Sequence, residues 1–311
     1  MRALQVVKGE EAKVVELDES GVGDGVVIDV THSSINYKDA LAVTGRPGVI
    51  RAEKLIAGID LVGTRRDDGE RVLVNGCGLG ETHDGGLAEV ARVPEEWLIP
   101  VPARFTDAQA AAVGTAGYTA ALSVLALECI GDGEVVVTGS TGGVGSIAIM
   151  LLAAAGTPVA AVTGKADQHE YLRRLGATTI LDRAEFEQPG KPLQSERWAG
   201  AIDTVGGTIL SNLLSQTRYG GTVTACGLAS ATDVPASMMP FILRAVSLVG
   251  INSVFTPRAQ RERAWKLLDE RLDLDLLDSL TASIDLDAVV ASAESMLAGK
   301  TTGRIVVDVR A

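Results

Sequence analysis

The chain has 311 residues, room for two domains on the usual scale of about 100–200 residues each. Hydrophobic residues make up 46% and charged residues 22%, enough to bury a sizeable core. With 28 Lys and Arg against 40 Asp and Glu the formal net charge is −12, which argues against nucleic acid and anionic membrane as general partners.

The first seven residues run straight into a strand-like pattern with no signal-peptide core. Short apolar segments at 3–7, 26–30, 55–62, 71–74 and 87–93 make the first hundred residues β-rich, and glycine and charge clusters separate them. One helix interrupts them, from near Asn36 toward Val43. Pro100, Val101 and Pro102 break the pattern, and Thr106 and Asp107 open a new helix. The apolar stretch 111–130 has the length of a membrane span, but Gly114, Gly117, Ser123 and Glu128 and the lack of a basic flank make it a buried helix.

From Gly133 the pattern becomes strand–helix alternation. Strands are expected at 134–138, 158–162, 178–181, 201–203, 221–225 and 247–251, and helices at 142–155, 168–175 and 210–216. Alternation of this kind means a parallel sheet with helices on both faces. After Pro257 a long amphipathic helix places Ala264, Leu267, Leu268 and Leu272 on one face, and a strand at 305–309 ends the chain. The fold expected is α/β: a Rossmann-type doubly wound domain at 113–254, inserted into a β-rich domain made of 1–112 plus 255–311.

The strongest local signal is the run Thr138-Gly139-Ser140-Thr141-Gly142-Gly143-Val144-Gly145 between a buried strand and a small-residue helix. Glycines there allow a tight turn and let a pyrophosphate reach main-chain N–H groups at a helix N-terminus. An NAD enzyme ends its second strand in Asp or Glu, to hold the ribose 2′-hydroxyl. This chain has Thr163-Gly164-Lys165 there, which suits a 2′-phosphate and favours NADPH; Arg183 after the third strand offers a second charge.

Metal ligation fails on spacing. His32, His83 and His169 lie in separate segments, and Cys77, Cys129 and Cys226 form no C-x-x-C pair. The same cysteine pattern argues against a disulfide framework and for a reducing, cytoplasmic compartment. His83 reads as a loop histidine and Cys226 as a small buried residue at a strand end. The segment Ser33-Ser34-Ile35-Asn36-Tyr37-Lys38-Asp39 gathers polar side chains at a strand-to-helix junction. An N-capped helix with Tyr37 as half-buried anchor and a functional polar cluster are both open readings of it.

The order of these parts resembles the medium-chain dehydrogenase/reductase superfamily. Its zinc alcohol dehydrogenases carry Cys-His-x-Asp and Gly-His-Glu elements; the corresponding stretches here are Asn36-Tyr37-Lys38-Asp39 and Gly58-Ile59-Asp60, so the chain is similar to the zinc-free, quinone-oxidoreductase-like branch. Within it, several motifs resemble the bacterial acryloyl-CoA reductase family over nearly the full length. They are the 33–41 segment, Gly80-Glu81-Thr82-His83-Asp84-Gly85-Gly86, Gly114-Thr115-Ala116-Gly117-Tyr118, Trp198-Ala199-Gly200-Ala201-Ile202-Asp203 and Met239-Pro240-Phe241-Ile242. The chain departs in a shorter segment between Glu128 and Gly133, and in Lys165 where relatives commonly carry Arg. Lysine keeps the charge but loses bidentate phosphate binding.

The resemblance implies a GroES-like β-rich domain, an NADPH cofactor and a homodimer. It puts Tyr37 beside the nicotinamide and Thr141, Gly142, Gly143 and Val144 on the pyrophosphate. Thr163, Gly164, Lys165 and Arg183 fall on the 2′-phosphate side, Leu228, Ile242 and Ser253 on the nicotinamide half, and Arg304 reaches in from the tail. The implied reaction is reduction of an activated C=C bond, acryloyl-CoA to propanoyl-CoA, by hydride addition at the β-carbon and protonation of the α-carbon. Tyr37 is the candidate proton donor, with Asn36 and Asp39 beside it able to order a water instead. Quinone or enone reduction on the same fold, and a non-catalytic NADPH-binding, crystallin-like role, are the alternatives. The −12 charge leaves open where coenzyme A phosphates would find Lys and Arg.

Overall fold

The computed structural model describes residues 1–127 and 132–311; Cys129 and most of the 128–133 segment singled out above lie outside the described residues. The strands are β1 (Arg2–Val7), β2 (Lys13–Glu16), β3 (Val26–Ser34), β4 (Lys54–Ile56), β5 (Asp60–Arg65), β6 (Arg71–Asn75), β7 (Val90–Val93) and β8 (Ile99–Pro100). They continue as β9 (Val135–Val137), β10 (Val159–Thr163), β11 (Thr179–Asp182), β12 (Trp198–Asp203), β13 (Thr217–Ala225), β14 (Ser247–Gly250), β15 (Thr281–Ile284) and β16 (Arg304–Asp308). The first helices are α1 (Tyr37–Val43), α2 (Asp107–Ala126), α3 (Gly143–Ala154), α4 (His169–Arg174) and α5 (Ala184–Glu187). After them come α6 (Gly207–Gln216), α7 (Met239–Arg244), α8 (Arg258–Arg271), α9 (Leu274–Ser279) and α10 (Val289–Leu297). Among the described residues no helix is long and apolar enough to cross a membrane.

The chain divides into two compact units: Met1–Tyr118 with Ser253–Glu262 and Leu274–Ala311, and Thr119–Asn252 with Arg263–Asp273. In the first, a sheet in the order β15-β16-β3-β5-β6-β8, with β7 also on β3, closes around Leu4, Ile28, Ile35, Leu61, Leu79, Leu87 and Val307. A smaller sheet, β2-β1-β4, lies beside it. The apolar run 55–62 reads as one strand but forms two, because Gly58 turns the chain at φ +106. A Cβ there would sit 2.7 Å from the Leu87 nitrogen, so only glycine allows that approach. The stretch between the long amphipathic helix and the last strand holds α9, β15 and α10, which the periodicity does not announce. Of α10's residues only Val289 and Ala293 are buried, too few to write a clear stripe.

The second unit is a six-stranded parallel sheet in the order β11-β10-β9-β12-β13-β14. Numbered within the unit this is 3-2-1-4-5-6, the doubly wound order whose reversal falls beside its first strand. Val136, Ala160, Val162, Phe186, Trp198, Leu213 and Val223 form its core. The fold is therefore α/β with a Rossmann-type domain set into a β-rich one, as the alternation predicts.

Candidate active site

In the second unit the chain leaves β9, turns through 138–142 and enters α3 with Gly142 as N-cap and no side chain on the cap. The first N–H groups of a twelve-residue helix are thus left for an anion. Gly139 adopts φ +56, and a Cβ on Gly145 would stand 2.4 Å from the Gly139 oxygen, so α3 starts hard against the turn. Thr138 Oγ1 donates to Asp203 at 2.6 Å, and Asp203 also accepts from the Gly206 N–H at 2.7 Å. Burial pushes the Asp203 carboxyl above its ordinary range, with these hydrogen bonds opposing the shift. The turn is a rigid cradle open at Gly142, Gly143 and Val144, with Thr141 buried beneath.

The residues assigned to the 2′-phosphate come together at the carboxyl end of the sheet. The Arg183 N–H donates to the Thr163 oxygen at 3.0 Å, and Thr163 Oγ1 accepts from the Lys165 N–H at 3.0 Å. A Cβ on Gly164 would meet the Arg183 guanidinium carbon at 3.3 Å, so glycine lets that plane lie against the backbone. Arg183 Nε is held by Glu187 at 2.7 Å, one helical turn on. No carboxylate ends β10, and a phosphate dianion fits a threonine hydroxyl with two cations. Leu228 and Ile242, also in this unit, are 65% and 71% exposed, so their apolar faces are open to a ligand.

In the first unit the 33–39 segment is both an N-capped helix and a buried polar cluster. Asp39 Oδ2 accepts the Asn36 main-chain N–H at 2.9 Å, and its Oδ1 accepts the Ile59 N–H at 2.9 Å. Asn36 Nδ2 donates to Asp39 Oδ2 at 3.0 Å and to Asp60 Oδ2 at 2.7 Å. Asp60, 1% exposed, also accepts from Ser34 Oγ at 2.6 Å, Asn75 Nδ2 at 2.8 Å and Thr115 Oγ1 at 2.6 Å. The Thr115 N–H reaches both its oxygens at 2.9 Å, because α2 is broken at Gly114, with φ +46 and ψ −159, and the kink frees that donor. Burial and the neighbouring Asp60 raise the Asp39 carboxyl to about 6, against hydrogen bonds from Asn36 and Ile59 that pull it down. Tyr37, the first residue of α1, is 48% exposed.

Arg304 departs from the expectation that it reaches toward a cofactor. It is 3% exposed; Nε donates to the Ala112 oxygen, Nη1 to the Ile35 oxygen and Nη2 to Ser34 Oγ at 2.9 Å. Its guanidinium clamps this unit beside the two carboxylates, and burial lowers its pKa while Asp60 and Asp39 oppose the change. Ser253 lies in this unit too, its oxygen 2.9 Å from where a Gly76 Cβ would be. His83 is a loop residue, Nδ1 2.9 Å from the Asp84 oxygen and its ring edge-on to Trp97. Burial pushes the Cys226 thiol up to about 12, which makes it a poor nucleophile. Asp60 with its partners Ser34, Asn75 and Thr115 is the part that the sequence does not reveal.

A family model described as "Zinc-binding dehydrogenase" matches residues 143–270. The residues present do not fit a zinc ion. The zinc-element positions offer Asn36, Tyr37 and Ile59 instead of Cys or His, and N–H and O–H donors occupy the Asp39 and Asp60 oxygens. Among the described residues no group of three or more His, Cys, Asp or Glu is placed to hold a metal. The chain is 42% identical over 328 residues to the acrylyl-CoA reductase AcuI of Ruegeria pomeroyi, covering 99% of each. YhfP of Bacillus subtilis, named a quinone oxidoreductase, is 41% identical over 297 residues, 91% of this chain and 90% of YhfP; its crystal structure with NAD bound superposes with a TM-score of 0.94. The yhdH oxidoreductase of Salmonella enterica, solved in complex with NADP, is 46% identical with a TM-score of 0.96, covering 99% of this chain and 100% of that one. The chain belongs to the acrylyl-CoA reductase family, in the quinone-oxidoreductase-like branch of the medium-chain dehydrogenase/reductases.

Proposed function

We propose that the protein reduces the C=C bond of a small 2-enoyl thioester with NADPH, as in acryloyl-CoA to propanoyl-CoA. The observation that carries this reading is a cradle and a cation pair that fit NADPH, in a chain aligned end to end with an acrylyl-CoA reductase.

Thr141, Gly142, Gly143 and Val144 would hold the pyrophosphate, and Thr163, Gly164, Lys165 and Arg183 the 2′-phosphate. Leu228, Ile242 and Ser253 would line the nicotinamide half. NADPH, when bound, supplies the hydride that the β-carbon of the substrate receives. Negative charge then builds on the thioester oxygen, and hydrogen-bond donors must meet it. The Asn36 amide nitrogen is committed to two carboxylates, so the Tyr37 hydroxyl is the donor that this segment can offer. Tyr37 gives its proton to the α-carbon and is reprotonated from solvent. Asn36 and Asp39 act through the main chain, fixing the first turn of α1 and with it the Tyr37 backbone.

The 41% identity to YhfP favours quinone or enone reduction as a second reading. NADPH oxidation measured against acryloyl-CoA, crotonyl-CoA, simple enones and quinones separates the two. The enoyl thioesters are expected to give the highest kcat/KM; turnover confined to quinones would establish the second reading, and NADPH binding with no turnover a non-catalytic role.

The working form in this reading is a cytoplasmic homodimer. β14 is an edge strand with Leu248 41% exposed, and Met239 and Leu243 on α7 are exposed as well, an apolar edge that invites pairing with a second copy. A dimer mass in light scattering is expected, and a monomer mass would count against it. A reducing compartment keeps Cys77 and Cys226 as thiols.

A further inference from the structure

Coenzyme A carries three phosphates, and a chain of net charge −12 repels them unless cations gather locally. One place in the first unit meets that need. Lys38, the residue after Tyr37, and Arg51 converge on opposite oxygens of Glu81: Lys38 Nζ on Oε2 and Arg51 Nε on Oε1 at 2.9 Å. Several other arginines of this unit are matched or outnumbered by carboxylates. Arg66 and Arg310 share Asp29 and Glu19, Arg71 has Asp107, and Arg65 faces Asp67, Asp68 and Glu95. Lys38 and Arg51 share a single carboxylate, which leaves one positive charge in excess.

The cluster is also built, with its anchor on the inside. The Glu81 side chain is only 12% exposed, while Lys38 and Arg51 are 32% and 70% exposed. The Arg51 N–H donates to the Glu81 oxygen at 3.0 Å, and the loop around Glu81 is fixed by Gly78 and Gly80 at φ +85 and +64. A Cβ on Gly80 would stand 2.9 Å from the Gly58 nitrogen, so the loop is pressed onto its neighbour. The carboxylate therefore holds two cationic heads in register and leaves their outer faces to solvent. A phosphate can accept from both, an ammonium and a guanidinium, through charge-assisted hydrogen bonds.

We propose that Lys38 and Arg51, set by Glu81, form the anchor for the nucleotide phosphates of a coenzyme A thioester. This rests on the reading of the substrate as an enoyl thioester and makes it specific: the carrier, and not only the acyl group, is recognised. The pantetheine arm would run from the anchor toward the reacting carbons. A quinone or a simple enone has no group for this site.

The test compares acryloyl-CoA with acryloyl-N-acetylcysteamine, the same thioester without nucleotide or phosphates. Changing Lys38→Met and Arg51→Met together is expected to raise the ratio of the two KM values by about tenfold or more, the scale of a lost hydrogen bond to a charged group. In the unchanged protein, raising ionic strength should raise KM for acryloyl-CoA and not for the short thioester, and the double variant should lose that difference. Desulfo-CoA should compete with acryloyl-CoA far better than inorganic phosphate at equal concentration. An unaltered KM ratio, or equal competition by inorganic phosphate, would overturn the proposal even if both thioesters are reduced. If neither thioester is turned over, the substrate reading itself has failed. Calorimetric titration of desulfo-CoA into the wild type and the double variant then decides the anchor: equal affinity overturns it, and tighter binding by the wild type supports it.

Discussion

The Asp39 and Asp60 carboxylates share one amide: Asn36 Nδ2 donates to Asp39 at 3.0 Å and to Asp60 at 2.7 Å. Burial and the like charge of Asp60 beside it raise the Asp39 carboxyl to about 6.

This sets a pH dependence of stability. Below the ordinary carboxylate value Asp39 is protonated in both folded and unfolded chains and contributes nothing to the slope. Between that value and about 6 the folded state binds more protons, so the Asp39 contribution to stability falls as pH rises, and the fall is complete above the folded value. The size is roughly 3 kcal/mol, at about 1.4 kcal/mol for each pH unit between the ordinary and the folded value. Asp39→Asn is expected to flatten this component in urea unfolding followed across the window. The difference between wild type and variant should drift with pH, and a constant difference would place the proton elsewhere.

Gly114 is expected to tolerate no side chain. A Cβ would stand 2.5 Å from Asp60 Oδ2 and 2.7 Å from Ser34 Oγ, at a φ that L-residues rarely adopt. Gly114→Ala should cost about 2–4 kcal/mol in denaturant unfolding, by straining the kink and displacing Asp60 from Thr115. Gly142→Val serves as the contrast. Its Cβ lies 3.3 Å from the Gly139 oxygen and its φ is −84, so the fold should survive while the cradle is filled and NADPH affinity, read by fluorescence titration, is lost.

The difference between these glycines shows what can be read from the chain. The 138–145 turn announces itself because strand, glycines and small-residue helix are contiguous, and β9 and α3 fall where they are expected. Lys165 and Arg183 are legible for the same reason, each sitting at a strand tip. The Asp60 cluster is not, since Ser34, Asn75 and Thr115 come from β3, β6 and the break in α2, and no period links them. Arg304 is legible as a residue but not as a role: burial against Ala112 and Ile35 depends on long-range pairing of β16 with β3.

In the proposed reading the Thr163–Arg183 cluster sets the choice of cofactor. Lys165→Ala and Arg183→Ala are each expected to raise KM for NADPH by about tenfold or more, with a much smaller effect on NADH. Equal changes for both cofactors in steady-state kinetics would show that these side chains do not face the 2′-phosphate.

Tyr37→Phe keeps the ring and removes the hydroxyl. Loss of a positioned general acid is worth ~10²–10⁴-fold, so kcat should fall on that scale while NADPH affinity holds. A Phe variant with wild-type kcat, where chemistry is rate-limiting, would move the proton to a water ordered beside Asn36 and Asp39.

The central claim is hydride delivery to the β-carbon of an enoyl thioester, and isotope tracing tests it most directly. With NADPH deuterated at the transferring C4 position and acryloyl-CoA as substrate, NMR of the propanoyl-CoA formed should show the label at C3 alone, with C2 protonated from solvent. Label at C2, or propanoyl-CoA carrying no label while NADPH is consumed, would contradict the account.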